Sequence, residues 1–254
     1  MSAVLDRLLV QALTEAEWLP ADAALDVPAS PNFLSAISYA TDTASGQTCQ
    51  SSSEEFRRWL KELIAQGATL ELLGSRRPAI CEWLGPRLLF SPRSFPGQRL
   101  VGLASSRLGR RLDTQQAWFK MFRAACSKID VQHETLLTAE STTTARFVER
   151  AAKLFDVPVF SLVPPSARTS VVTWLRHLQS LDTDQGNVHR VYISPELLPA
   201  TRVGPLDAFP LRDRSVLALS DHVLVFHIRP AGQLDVLIRA RLSDAGWQRV
   251  RRVG

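Results

Sequence analysis

From Arg99 onward the chain alternates short apolar runs of β type with amphipathic helical runs, and this alternation restricts the fold more than any other feature. Residues 100–105, 135–139, 157–163, 188–194 and 222–228 read as strands, and residues 117–129, 142–154, 170–178, 210–219 and 233–244 as helices. Strands that take turns with helices fit a parallel sheet, because each parallel crossover needs a helix to return the chain to the starting edge. The expected fold class is therefore α/β: a Rossmann-like, mostly parallel sheet covered by helices. Residues 247–253 read as a final edge strand, and no fixed-period repeat interrupts the pattern.

The first 98 residues lack this alternation. Val4, Leu5, Leu8, Leu9, Ala12 and Leu13 make one apolar stripe, so residues 3–18 read as an amphipathic helix. Residues 20–53 are rich in Ala, Ser, Thr, Asp and Pro, and 41–53 read as a polar loop, expected to be mobile. Ser53 followed by two glutamates opens a helix that stops at Gly67. Residues 69–73 and 87–90 then read as strands around a helical turn at 78–84. Two prolines and a glycine in residues 91–97 mark the expected boundary between a smaller N-terminal α/β or helical region, 1–98, and a Rossmann-like domain, 99–254.

With 45% hydrophobic and 22% charged residues the composition is that of an ordinary globular protein. No apolar run reaches the length of a membrane span and no leader pattern opens the chain, so a cytoplasmic protein with no membrane partner is expected. Cys49, Cys81 and Cys126 are scattered, without zinc or disulfide spacing. The net charge of +5 is unevenly placed: residues 1–98 hold 8 basic and 11 acidic side chains, residues 99–254 hold 22 and 14. Nearly all the cations are arginines, whose planar fork suits phosphate. Charge of this kind points to a phosphate-bearing partner, single-stranded DNA or a nucleotide; a homodimer is compatible with it.

In an open α/β sheet ligands bind beyond the carboxyl ends of the strands, so the residues after each strand carry the chemistry. After the first come Ser105, Ser106 and Arg107. After the second come Thr138, Glu140, Ser141 and Thr142, with hydroxyls at an expected helix start, where free N–H groups favour an anion. Glu140 is the one carboxylate there that could polarise a ribose or a water, and it is the candidate catalytic residue. The patterns GxGxxG, Walker A, HExxH and GxSxG are absent, and the five histidines stand apart, so neither cofactor nor metal is expected.

Phe209, Pro210, Arg212 and Arg214, followed by Leu219, Ser220 and Asp221 before an apolar strand, resemble a segment of the DNA-processing protein A (DprA) family. Val101 to Arg107 is similar to that family's first strand and turn. The resemblance spans roughly residues 99–245 and implies a Rossmann-like domain shared with the "lonely guy" (LOG) enzymes. It implies phosphate contacts from Ser106, Arg107, Arg212, Arg214 and Gly232, with single-stranded DNA binding as the activity and no covalent chemistry. Asp213 stands where the family has asparagine, and the glycine patterns after its second and last strands are missing. A LOG-type nucleotide-binding or nucleotide-processing domain, and a degenerate protein-interaction module, are therefore kept as alternatives.

Overall fold

The computed structural model describes residues 3–20, 32–43, 54–73, 78–93, 99–106, 117–142, 144–181, 188–198, 206–243 and 250–252. The elements run α1 (Ala3–Glu15), α2 (Phe33–Thr43), α3 (Glu54–Ala65), β1 (Thr69–Leu72), α4 (Pro78–Leu84) and β2 (Leu88–Ser91). Then follow β3 (Arg99–Ser105), α5 (Ala117–Cys126), β4 (Glu134–Ala139), α6 (Ala145–Phe155), β5 (Val159–Val163) and α7 (Val171–Leu178). The chain ends with β6 (Val188–Ile193), α8 (Leu211–Leu219), β7 (His222–His227), α9 (Gln233–Ser243) and β8 (Val250–Arg252). The fold is α/β, with an eight-stranded sheet in the order β1-β2-β6-β5-β4-β3-β7-β8.

The chain clusters into two compact units, each built from several segments: 1–95, 165–184 and 191–201 in the first, 96–164, 185–190 and 202–254 in the second. In the first unit β1 and β2 pair antiparallel, Leu70 opposite Phe90, and Leu89 and Phe90 pair antiparallel with Ile193 and Tyr192. Trp18, Phe56 and Trp59 stack with ring centroids 5.4–5.7 Å apart. Helix α2 lies in the stretch 20–53, for which the sequence predicted no helix, and its last turn overlaps the expected loop. Asn32 makes it possible, since its side chain accepts the N–H of Leu34 at the helix start and that of Leu70 on β1, both at 3.1 Å. Phe33, Leu34 and Ile37 are buried at helical spacing, a pattern hidden among Ser, Thr and Ala. The expected loop at 41–53 begins inside this helix, and residues 44–53 lie outside the described ones.

The second unit holds the parallel strands. Val101 sits beside Leu136 on β4 and beside His222 on β7, and Leu136 sits beside Val159 on β5. The chain steps outward from β3 to β4 and β5, then returns to the other side of β3 as β7, so strand order reverses at β3. Val101, Leu103, Phe122, Leu136, Val148 and Val159 are fully buried between the sheet and helices α5 and α6. Helix α8 packs against β3, β4 and β5 on one side and α9 on another, and every residue from Arg214 to Leu219 is buried. A helix covered all round has no need of a polar stripe, which explains why its sequence shows so little amphipathic pattern.

Two motif residues serve this packing. A Cβ on Gly102 would lie 2.1 Å from Ser220 Oγ, so only glycine lets the end of α8 press on β3. Asp221 exchanges two 2.9 Å bonds with the backbone of Leu100, donating its N–H to the carbonyl and accepting the Leu100 N–H at its carboxylate. The fully buried Arg241 donates to the Ser220 carbonyl at 2.8 Å. Among the described residues no helix is long and apolar enough to cross a membrane.

Candidate functional site: the crevice at the carboxyl end of β3

The three turns singled out from sequence meet above β3. The Ser106 N–H donates to the His227 carbonyl at 2.8 Å, and its hydroxyl accepts the Arg229 N–H at 3.0 Å. Ser106 thereby ties the exit of β3 to the exit of β7, and both its N–H and its hydroxyl are engaged within the protein. Ser105, partly buried, points its hydroxyl at the Ser106 carbonyl at 3.3 Å. Arg107, together with residues 108–116, lies outside the described residues.

After β4 the chain does not enter a helix at Thr142. Ser141 has φ of +64°, a left-handed conformation that an alanine-like Cβ resists, and Thr142 folds back to donate its hydroxyl to the Ala139 carbonyl at 2.8 Å. Helix α6 starts instead at Ala145, and Thr144 precedes it: its carbonyl accepts the N–H groups of Phe147 and Val148, both at 2.9 Å. The Thr144 hydroxyl donates to the Leu103 carbonyl at 3.2 Å, pinning the helix start to β3. Thr138 is fully buried beneath this turn, its Oγ1 3.4 Å from that of Thr142. Glu140 points to Arg190, with Oε1 3.1 Å from Nε, so the candidate catalytic carboxylate is occupied by an ion pair.

Helix α8 separates its two arginines. Arg214 is buried and donates Nη1 to Oδ1 of the exposed Asp207 at 2.7 Å. Arg212 keeps 37% of its side chain exposed, with Nε 3.9 Å from Asp213 Oδ2. After β7, Ala231 has φ of +57° and gives its N–H to the buried Asp235, which also holds Arg239. A Cβ on Gly232 would press to 3.0 Å on the Arg229 carbonyl, so glycine keeps this turn tight.

Above β3 these elements line a small, open recess. Leu103, Val216 and Leu234 give it apolar walls; Ser105, Thr142 and Asp213 supply its polar atoms. Burial pushes the Asp213 carboxyl above the usual carboxylate range, with the neighbouring Arg212 opposing the shift. The structure thus brings Ser105 and Thr142 to one recess, sets Ser106 and Gly232 in the adjoining turns, and turns Arg214 and Glu140 to protein partners. Asp213 and Thr144 were not chosen from sequence. Asp213 was visible only as a departure from a motif, and Thr144 lay inside a helix expected to begin two residues earlier.

The buried Cys126 thiol is pushed up to about 12 by desolvation, which removes it as a nucleophile at neutral pH. Among the described residues no group of three His, Cys, Asp or Glu side chains could hold a metal ion. No protein-family model matches the chain and no curated protein gives a significant match, so its functional reading stands on this geometry and on the sequence motifs.

Proposed function

We propose that the chain binds a phosphate-bearing ligand, single-stranded DNA first and a free nucleotide second, in the crevice at the carboxyl end of β3. The observation that carries this reading is the recess itself. It opens where strand order reverses, the place where open α/β sheets take ligands, lined by Ser105, Thr142, Asp213 and the start of α6, and Asp213 is flanked by the partly exposed Arg212. Its resemblance to the DprA family at 209–221 and the excess of basic residues after 98 support DNA over other phosphate esters. Of the two arginines in the resembling segment, Arg212 is the one with a guanidinium left to offer.

Fluorescence polarisation of a labelled single-stranded oligonucleotide, across a salt series and with nucleoside monophosphates as competitors, tests the reading. Wild type binds in a salt-sensitive way, and Arg212→Ala lowers the slope of log affinity against log salt by about 0.7, one phosphate contact. Full displacement by one mononucleotide assigns the crevice to a nucleotide. A second reading, a module that docks protein, is favoured by the engagement of Arg214 with Asp207 and by the Asp213 carboxyl. It takes over when neither oligonucleotide nor mononucleotide binds.

A further inference from the structure

Helices α5 and α6 lie side by side over the sheet, joined by ring contacts of Phe147 with Phe119 and Phe122 at 5.8 and 6.2 Å. Their apolar faces are used in the core. Their outward faces carry Lys120 and Arg123 on α5, Lys128 just beyond it, and Arg146, Arg150 and Lys153 on α6, all exposed. Against these six stand Glu149 within α6, and Asp130 and Asp156 just beyond the ends of the two helices. No described carboxylate pairs with any of the six. Three of the four lysines in the whole sequence are here.

Such a face is unfavourable for an isolated helix pair. Arg146 and Arg150 are four apart, Arg150 and Lys153 three apart, and Lys120 and Arg123 three apart, spacings at which like charges repel by about 0.2–0.5 kcal/mol per pair. On α6 the three cations share one side of the helix over eight residues, about 10 Å of axial rise. Repeated cations along one line match a linear polyanion better than a single phosphate. A membrane surface fits less well, because an interfacial helix must offer its apolar face to lipid, and here that face is buried in protein.

We infer that the outward face of α5 and α6 is a second docking surface for the phosphate backbone of a nucleic-acid strand, separate from the crevice and independent of it. Helix α6 begins beside the crevice, immediately after Thr144, so a strand seated there would have a basic track onto which it continues.

The test is the variant Arg146→Ala/Arg150→Ala/Lys153→Ala in the full chain, beside Arg212→Ala, with thermal melting to confirm folding. Binding of a thirty-nucleotide oligothymidine is measured across a salt series, and binding of anionic vesicles containing phosphatidylserine alongside. The expected result is that the triple variant loses about 2 from the salt slope, three contacts at about 0.7 each. The charge-preserving Arg146→Lys/Arg150→Lys variant keeps the wild-type slope. An unchanged slope in the triple variant overturns the inference, as does vesicle binding that the triple variant loses while oligonucleotide binding stays. Failure of the crevice reading looks different: the Arg212→Ala slope equals that of wild type while the triple variant still falls.

Discussion

Arg212 and Arg214 are two residues apart on α8 and have opposite surroundings. Arg214 is buried while its partner Asp207 is exposed, so removing the arginine empties a packed position and leaves a carboxylate that water can solvate. Arg214→Ala is expected to cost about 2 kcal/mol of stability, mainly through lost packing of the buried side chain, whereas Arg212→Ala, at a half-exposed site, stays within about 0.5 kcal/mol; urea unfolding of both variants checks the contrast. Asp213 lies between them and has the reverse problem. Its carboxyl is held above its ordinary value by burial, so the fold favours the protonated form. That contribution is fully present below 3.8 and is lost as pH rises through the raised value. Asp213→Asn, neutral throughout, should therefore unfold at higher urea than wild type at pH 7, with the gap closing as pH falls toward 3.8.

At the scale of elements, strands β3, β4, β6 and β7 and helices α5 and α7 were legible from the period of their apolar residues, and α8 and α9 from the proline and glycine turns before them and the strands between them, since α8 keeps little amphipathic period. The losses have local causes. Helix α2 was obscured because its cap, Asn32, also serves β1, a link across more than thirty residues that no local pattern encodes. The start of α6 was placed at Thr142, since four hydroxyl residues in a row all look like caps. The choice of Thr144 depends on its bond to Leu103 of β3, which is tertiary. The motif residues 219–221 were legible as a motif but not by role. Ser220 presses on Gly102 and Asp221 holds Leu100, so what resembles a functional signature here is a device for seating α8 and β7 against β3. The charged faces of α5 and α6 were visible only as a net excess, because adjacency of the two helices comes from the sheet order.

For the whole molecule, the alternation of strands and helices after Arg99 was enough to anticipate an α/β sheet, and the reversal at β3 gives the crevice its position. Alternation alone does not specify strand order: that the chain leaves β5, forms β6 and comes back beside β3 is decided by how each crossover packs. The same holds for the site. Ser105 and Thr142, both singled out from the sequence, line one recess, while the carboxyl group beside them entered only with the packing of α8.

The central claim is that phosphate is held above β3, and amide chemical-shift mapping by NMR, with oligothymidine added to saturation, tests it most directly. The account predicts shifts in the backbone amides of Ser105, Thr142 and Arg212, which weaken together as salt is raised. Saturation by the oligonucleotide with these three amides unmoved, or with shifts confined to residues of the first unit, would contradict it.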